Sequence, residues 1–504
     1  MRRGMFSGNR LAVALICAAA VLAAAWLPPG ALAADGLLTG ISDPSMTGGT
    51  GATLDAFAPR WKAAGVDVAM VTADWRRIAP SVDSPSMPAG FDPADPQSAA
   101  YDWERLDRTI ATLRRNDLDP LLTITGPGPL WGSSDPSRGS ARYRPDAAQF
   151  AAFASAVASR YGADVNRYII WYEPNSDENL RPQYFCSRGK CAPRSPSIYR
   201  ELFNAGSAAI RQADAGPSVY AGALAPRGAT PSDSDSSMRP IVWMRSFGCL
   251  SDGNTADRTS ATCRDLSPAA VDGFAYHPDQ RAAAPSKHLA HWAEAGVGDT
   301  GRLTNLLDRL QETGGLINAE DEQAPINLYY TEFGYQTNPP DVFSGVSVAK
   351  QSAWLQQAAR IAFGQPRVKL LGQYLWRDQP ITDSGQGTDA YAGTQSGLYM
   401  FDGSAKPSAR TFLNPFWVLR SRDHKTAKLW GQVRPGSSHN VTIERRVGSA
   451  SFRRIASLKT DANGFFSYST RLYARSTFRF AWTGRVGNGA SQRRRSSSMT
   501  VAPR

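Results

Sequence analysis

Residues 119–171 contain, in order, DPLLTIT at 119–125, AAQFAAFASAVASRY at 147–161 and YIIW at 168–171. The first and third segments are short apolar runs of strand length, whereas the middle segment has the length and apolar spacing of a helix. Two apolar strands joined by a helix form a parallel βαβ unit. This part of the chain therefore predicts an α/β protein with a buried parallel sheet.

The same alternation continues on both sides of this unit, from residue 37 to about residue 415. Strand-like runs occupy 37–42, 66–75, 119–125, 168–171, 218–225, 271–276, 326–331 and 368–376. Helix-like segments between them include 101–116, 147–161, 198–213, 300–313 and 349–363. Eight such units predict a (β/α)8 TIM barrel. A doubly wound open sheet is the alternative, but it usually has a glycine-rich phosphate loop after its first strand, and this chain has none there.

The pattern changes after residue 427, where apolar and polar residues alternate. The period of two that is typical of strands is found in LWGQV at 429–433, VTIE at 441–444 and FRFAW at 478–482. We expect the barrel to cover 34–420 and a small, immunoglobulin-like, all-β sandwich to cover 425–504. Met499–Val501 would close the last strand of that sandwich.

Residues 1–33 have the features of an export signal peptide. A basic start at 2–10 precedes an apolar run at 11–27, and ALA at 31–33 supplies the small residues of a cleavage point. An uncleaved membrane anchor is the alternative, but PPG at 28–30 favours cleavage. We therefore expect a secreted or cell-surface protein with no membrane segment after cleavage.

The composition is that of a globular protein, with 504 residues of which 42% are hydrophobic and 20% charged. It excludes a fibrous, collagen-like or wholly disordered chain. The net charge of +12 belongs to residues 425–504, which contain 16 Lys and Arg against Glu444 and Asp461. This basic part would suit an acidic cell-wall or extracellular glycan, and a solvated cationic spacer is the alternative. Nucleic acid is disfavoured, because the chain has an export signal and no recognised binding module.

Four cysteines follow the signal, namely Cys186, Cys191, Cys249 and Cys263. An even number in an exported chain predicts disulfides, and four cysteines allow three pairings. Proximity in sequence favours Cys186–Cys191 and Cys249–Cys263. A metal site is the competing interpretation, but CxxC spacing and nearby histidines are both missing. Nothing in the sequence calls for a metal or a cofactor.

Two carboxylates stand at the ends of predicted strands, where barrel enzymes place their active-site residues. Glu173 lies in IWYEPN at 170–175, after the fourth run, and Glu332 lies in YTEFGY at 330–335, after the seventh. Such a pair can cleave a glycosidic bond, one residue protonating the leaving oxygen and the other attacking as an ionised nucleophile. The plain alternative is that both are solvated carboxylates at strand ends.

These two segments resemble those of a known family. WYEPN at 171–175 is similar to the W-N-E-P-N acid/base motif of clan A glycoside hydrolases, and TEFGY at 331–335 is similar to their T-E-F-G-W nucleophile motif. Further similar segments are WRRIAP at 75–80, YDW at 101–103, VDGFAYHP at 271–278 and the G-L-x…K-P segment at 397–407. The resemblance covers residues 37 to about 415 and is closest to bacterial barrels of family 39 and family 5.

The resemblance implies a retaining hydrolase with Glu173 as acid/base and Glu332 as nucleophile, their carboxylates about 5–5.5 Å apart. It implies cleavage of O-glycosidic, β-linked bonds in a polysaccharide or oligosaccharide. Glu173 would need a raised pKa, for which the nearby Glu332 is a plausible cause. We expect the protein to be a monomer.

Two residues depart from the family pattern. The family has Asn before the acid/base, where it binds the sugar 2-hydroxyl, and this chain has Tyr172, whose hydroxyl we expect to reach the sugar. The family also has an Arg in strand two that holds the nucleophile, and this chain has Met70. Loss of that arginine should raise the pKa of Glu332 and slow its attack. Candidates for supplying the missing charge are Arg76, Arg77 and Arg377.

Other side chains near the predicted strand ends are candidates for substrate binding. His277 ends the sixth run and could bond the substrate or the nucleophile, with a structural role as the alternative. Trp131, Trp376 and Tyr335 are aromatic residues on predicted mouth loops, and a core role is the alternative for the two tryptophans. The predicted substrate-binding residues are therefore Tyr172, His277, Trp376, Trp131, Tyr335 and Arg76.

Two functions other than efficient catalysis also fit the sequence. A carbohydrate-binding barrel with weakened catalysis would explain Tyr172 and Met70. A surface protein that binds an anionic glycan would use the basic sandwich instead. If the protein is an enzyme, it should show turnover that Glu332→Gln abolishes, whereas the binding barrel should show no turnover. If it is a surface protein that binds an anionic glycan, binding should require residues 425–504 and should be most sensitive to their loss at low salt.

Overall fold

The computed structural model describes residues 36–48, 51–381, 391, 395–484 and 491–503. The predicted export signal at 1–33 lies outside these residues. Within the described part of the chain, no helix is both long enough and apolar enough to cross a bilayer.

Eight parallel strands form the barrel. They are β1 Leu38–Ser42, β2 Val68–Asp74, β3 Asp119–Thr125, β4 Arg167–Ile170, β5 Ser218–Leu224, β6 Gly273–Tyr276, β7 Leu328–Phe333 and β8 Val368–Tyr374. β1 pairs with both β2 and β8, which closes the sheet in the order β1–β8–β7–β6–β5–β4–β3–β2. The predicted TIM barrel is confirmed, and the open doubly wound sheet is excluded by this closure.

Helices cover the outside of the barrel. The described helices are Pro44–Thr47, Gly51–Ala63, Trp75–Ile78, Glu104–Arg115, Ala147–Tyr161, Ser195–Ala213, Pro240–Phe247, Thr300–Glu312, Val348–Phe363 and Pro407–Leu413. Short 3₁₀ turns lie at Leu130–Gly132, Pro136–Arg138 and Val297–Asp299. Each predicted helical segment corresponds to one of these helices, because a strongly periodic apolar face is a local signal that tertiary packing preserves.

The inside of the barrel is filled by side chains. This inner layer consists of Val68, Met70, Leu121, Ile169, Tyr220, Ala223, Ala275 and Leu370. Gly372 makes room for one of them, because a Cβ added there would lie 2.4 Å from Met70 Cε. Met70 therefore lies inside the barrel beside β8, which agrees with its predicted position in strand two.

Short strands and two disulfides shape the loops. A hairpin of Tyr184–Ser187 and Lys190–Pro193 follows β4, and the Cys186–Cys191 bond joins its two strands. Cys249 is bonded to Cys263. Both pairings are those that proximity in sequence favours. The remaining short strands pair as Ala269–Val271 with Leu316–Asn318 and as Thr337–Asn338 with Val346–Ser347.

The C-terminal part consists of two antiparallel sheets. The strands are β9 Phe416–Arg420, β10 Thr426–Gln432, β11 Asn440–Val447, β12 Arg453–Lys459, β13 Phe465–Arg471, β14 Ser476–Gly484, β15 Gln492–Arg495 and β16 Met499–Val501. One sheet has the order β9–β10–β13, and the other has β12–β11–β14–β15 with β16 also paired to β14. These sheets begin at Phe416 rather than at 425, because β9 pairs with β10 along its length.

The sandwich packs against the barrel through aromatic rings. Phe363, at the end of a barrel helix, lies 5.5 Å from Trp430 and 4.7 Å from Phe465 between ring centroids. Arg434 is buried at this junction and stacks on Phe412 at 4.5 Å. The contact joins the sandwich to a helix that leads into β8, so the sandwich lies away from the carboxyl ends of the strands.

Candidate active site

The carboxyl ends of four barrel strands bring polar side chains together. Ser42 ends β1, Glu173 follows β4, His277 follows β6 and Glu332 lies one residue before the end of β7. The side chains of Glu173 and Glu332 are 23% and 15% exposed, and that of His277 is 6% exposed. Parallel strands place these residues at one face of the barrel although they are far apart in sequence.

Glu332 is held by two neutral hydroxyl donors. Ser42 Oγ donates to Glu332 Oε1 at 3.0 Å, and the Tyr172 hydroxyl donates to Glu332 Oε2 at 3.0 Å. Each carboxylate oxygen therefore accepts one hydrogen bond and keeps a lone-pair direction for other contacts. Tyr172, which the sequence predicted to reach the sugar, is a direct partner of the predicted nucleophile.

His277 lies between the two carboxylates. Its Nδ1 atom is 2.8 Å from Glu173 Oε1 and 3.9 Å from Glu332 Oε2. Its ring also contacts the Tyr172 ring, with 5.2 Å between centroids. The two carboxylates are thus grouped around one imidazole nitrogen.

The loop after β4 is held in a fixed conformation that presents Glu173. Trp171 and Glu173 have positive φ values of 66° and 41°, a backbone region that residues other than glycine rarely adopt. The backbone N–H of Glu173 donates to the Ala223 carbonyl at 3.0 Å. Asn175 is fully buried, and its side chain accepts from the Ala225 N–H and donates to the Ala225 carbonyl. The end of β5 therefore fixes the position of this loop.

The surroundings of Glu332 raise its pKa. Burial is the largest cause, and the charge of Glu173 acts in the same direction. The positive charge of His277 and the hydrogen bonds from Ser42 and Tyr172 oppose this increase in pKa. The direction agrees with the expectation that loss of the family arginine raises the pKa of this carboxyl.

The pKa values of His277 and Tyr172, two neighbours of Glu332, are raised as well. Burial by itself would lower the pKa of His277, but the charges of Glu332 and Glu173 and the hydrogen bond to Glu173 outweigh it, so the pKa is raised. Burial and the same two carboxylates raise the pKa of the Tyr172 hydroxyl. Tyr172 therefore stays protonated and acts as a donor, while His277 is favoured as an imidazolium.

None of the three arginines proposed as substitutes takes the place of the strand-two arginine found in the family that the sequence resembles. Arg76 binds the Val82 carbonyl and Asp83, Arg77 pairs with Asp74, and Arg377 stacks on the rings of Phe57 and Phe401. None of the three forms an ion pair with Glu332. The cation in contact with the carboxylate pair is His277.

Two cavities meet at Glu332. One, of about 260 Å³, extends into the barrel and is lined by Met70, Thr123 and Ile169 among others. The other, of about 700 Å³, extends toward the loops after β5, β6 and β7, and includes Arg227 and Gln336. Tyr172, His277 and Glu332 line both cavities. Glu332 therefore stands at the junction of a narrow inner space and a wider outer one, and Glu173 lines the outer one.

The other predicted substrate-binding residues do not line either cavity. Trp131 is 6% exposed and donates from Nε1 to the Pro80 carbonyl, and Trp376 is 5% exposed and packs on Tyr399. Tyr335 is buried and donates to the Ala283 carbonyl. Neither tryptophan offers an open ring face, because neighbouring elements cover both rings. Arg76, already described, is directed at the loop that contains Asp83.

Sequence reasoning missed two side chains of the site. Ser42 bonds Glu332 directly, and Tyr374 lines the outer cavity next to it. Both are the last residues of their strands, β1 and β8, so inspection of every strand end would have identified them. Among the described residues, no group of three or more His, Cys, Asp or Glu side chains is arranged to hold a metal ion.

Comparison with known proteins gives structural likeness only. No family model matches the chain, and no curated protein matches its sequence. The fold is similar to that of a glucosidase from Croceicoccus marinus, with 13% identity, a TM-score of 0.48 and coverage of 88% of this chain and 95% of that one.

Two further solved structures are similar at the same identity of 13%. A family 1 β-glucosidase from Thermotoga maritima has a TM-score of 0.44, with 75% of this chain and 96% of that one covered. Virulence factor SghA from Agrobacterium tumefaciens, in complex with its substrate analog salicin, has a TM-score of 0.44, with 74% and 94% covered.

Proposed function

We propose that this protein is a secreted, retaining glycoside hydrolase that cleaves β-linked bonds in an oligosaccharide or polysaccharide. Glu173 is the acid/base and Glu332 the nucleophile. The observation that carries the proposal is the grouping of both carboxylates around His277 Nδ1, at 2.8 Å and 3.9 Å. Secretion rests on the predicted export signal, and the assignment to family 39 or family 5 remains a prediction.

The distances favour a retaining mechanism over an inverting one. Glu173 Oε1 lies 2.8 Å and Glu332 Oε2 lies 3.9 Å from His277 Nδ1. These two oxygens can therefore be no farther apart than the sum of the two distances. Retaining pairs, about 5–5.5 Å apart, satisfy this limit, whereas most inverting pairs, about 6.5–9.5 Å apart, exceed it.

The reaction proceeds in two displacements. Glu332 attacks the anomeric carbon and the glycosidic C–O bond breaks, while Glu173 gives its proton to the leaving oxygen. In the second step water attacks the same carbon, Glu173 takes the proton from that water, and the ester bond to Glu332 breaks. Within the described residues, Glu173 Oε2 has no hydrogen-bond partner and is free for these proton transfers.

The hydrogen bonds around Glu332 support its role as nucleophile. Ser42 and Tyr172 stabilise the ionised carboxylate without placing a fixed charge on it, and the nearby imidazolium of His277 lowers its pKa against the effect of burial. A carboxylate held in this way is ionised but poorly hydrated, which favours attack. Tyr172 thus acts on the reaction through Glu332.

The decisive experiment is mass spectrometry of the intact mature protein after incubation with a set of 2-deoxy-2-fluoro glycosyl fluorides. One added sugar that maps to Glu332 would establish the covalent intermediate and identify the sugar that is transferred. The Glu332→Gln variant provides the control and should stay unlabelled. A folded protein that binds glycans but gains no label would favour the non-catalytic, carbohydrate-binding barrel instead.

A further inference from the structure

A further cavity, of about 480 Å³, lies where the sandwich meets the end of the barrel domain. Its lining residues are Arg410, Leu413, Asn414, Arg479, Arg494, Arg495, Ser496 and Ser498. Four of these are arginines and none is acidic. We call this space the arginine cavity.

The cavity contains more positive charge than its surroundings neutralise. Among the described residues, the acidic residue in contact is Glu444, which is 2.6 Å from Arg479 Nε and 4.0 Å from Arg495 Nε. Glu444 also pairs with Arg493 at 2.8 Å, so its single charge is divided among three arginines. Residues 416–503 contain only two other acids, Asp423 and Asp461, and both are exposed loop residues. The cavity is therefore strongly cationic.

Two of the four arginine side chains are held in place before any ligand binds. Arg479 lies 3.8 Å above the ring of Phe452 while it pairs with Glu444. Arg410 donates to the Ser496 carbonyl, which joins the barrel side of the cavity to the sandwich side. Arg494 Nε is buried and has no hydrogen-bond partner within the described residues. An unpaired buried donor is costly unless a ligand or water satisfies it.

We propose that the arginine cavity binds carboxylate groups of an acidic polysaccharide. Planar guanidinium groups match carboxylates through two parallel hydrogen bonds, and a fixed fork loses little entropy when it binds. Single-stranded nucleic acid would need exposed aromatic rings for its bases to stack on, and the cavity lining has none. The site is independent of the proposed glycosidase activity, because no residue of the arginine cavity lines the cavities at Glu332.

The test measures binding of the mature full-length protein to polygalacturonate at low and at physiological ionic strength. The variant R494Q/R495Q removes two charges from the arginine cavity. Its matched control, K428Q/R471Q, removes two charges from exposed positions on the other sheet. Thermal melting of all three proteins checks that they are folded. Neutral dextran, single-stranded RNA and anionic phospholipid vesicles serve as competing ligands.

We expect polygalacturonate to bind and neutral dextran not to bind. R494Q/R495Q should weaken binding by about tenfold or more, since the charged hydrogen bonds of two guanidinium groups to the carboxylates are lost. The control should change it by less than about threefold, because screening limits the effect of distant charges. Equal losses in both variants would overturn the proposal in favour of diffuse charge attraction. Tighter binding of RNA or vesicles than of polygalacturonate would also overturn it, as would no binding at low salt.

Discussion

Glu332 and Glu444 are both largely buried carboxylates on β-strands, yet their surroundings are opposite. Glu332, in β7, accepts hydrogen bonds from two neutral hydroxyls and shares its site with Glu173. Glu444, in β11, pairs with two arginines at 2.6 Å and 2.8 Å. The pKa of the first carboxyl is raised by burial although neutral donors oppose the increase, and the second carboxylate is neutralised by permanent cations.

The difference separates the proposed nucleophile, Glu332, from a structural carboxylate, Glu444. Fixed arginine charges stabilise the negative charge of Glu444 and occupy its oxygens through strong hydrogen bonds, so this carboxylate has little tendency to attack a carbon. Hydroxyl donors leave Glu332 sensitive to burial, to the second carboxylate and to pH. Exchange of Glu332 for glutamine should therefore abolish activity without lowering stability. Exchange of Glu444 for glutamine should lower stability without affecting activity.

The largest expected effect is on turnover. Glu332→Gln should lower the rate at least a thousandfold, because an amide cannot form the glycosyl ester. Steady-state hydrolysis of an activated aryl glycoside measures the loss, and exposed Glu322→Gln is the control. Retention of more than a tenth of the activity would contradict the assignment of Glu332 as nucleophile.

The second effect concerns Glu173. Glu173→Gln should lower the rate on natural oligosaccharides by about 10²–10⁴-fold, since general acid–base assistance is lost. Substrates with good leaving groups should be less affected in the first step, and added azide should restore turnover as the glycosyl azide. Glu178→Gln, an exposed residue in the same loop, should behave like the unaltered protein. Equal loss on good and poor leaving groups would contradict a role as acid.

The third effect tests the hydroxyl donors. Tyr172→Phe should raise the pKa of Glu332 further, because one hydrogen bond to the ionised form is lost. The acid limb of the pH–rate profile should therefore move to higher pH, with a loss of about tenfold at its optimum. Ser42→Ala should move the limb in the same direction. Unchanged kinetics in Tyr172→Phe would refute both its contact with the sugar and its action through Glu332.

The fourth effect is structural. Glu444→Gln should lower the free energy of unfolding by about 1–3 kcal/mol, since it leaves Arg479 and Arg493 without a counter-charge while solvent screens both in part. Arg479 is 22% and Arg493 55% exposed, which keeps the cost below that of a fully buried pair. Denaturant unfolding measures the change, and turnover at the barrel should be unaffected. An unaltered midpoint would mean that the arginines find other partners.

The smallest expected effect is an increase in stability, in contrast to the decrease expected for Glu444→Gln. The folded-state pKa of Glu332 is raised, so this group stabilises the fold at pH values below its unfolded pKa and loses that contribution as pH rises through its folded pKa. Glu332→Gln should then raise the melting temperature at pH 7 by roughly 1–3 °C. The gain should vanish near pH 4, where the native carboxyl is protonated. A lower melting temperature at pH 7 would show that the hydroxyl bonds outweigh burial.

Much of the fold was predictable because its signals are local. Each barrel strand is a short apolar run, and each covering helix has its own apolar spacing, so both can be read in a window of a few residues. Those apolar runs predicted where β4 and β7 end. They therefore also predicted that Glu173 and Glu332 lie at strand ends. The aromatic candidates were harder to place, because a tryptophan on a mouth loop can face the substrate or the core. Trp131 and Trp376 are both covered by neighbouring elements.

The amino-acid sequence by itself determined the barrel, its order of strands, the two carboxylates at strand ends and the presence of Met70 where the family that the sequence resembles has an arginine. Only the tertiary structure decided what touches those carboxylates. Ser42 and Glu332 are 290 residues apart, and His277 is 104 residues from Glu173. Local periodicity contains no information about such contacts, since they arise when closure of the barrel brings the ends of separate strands to one face.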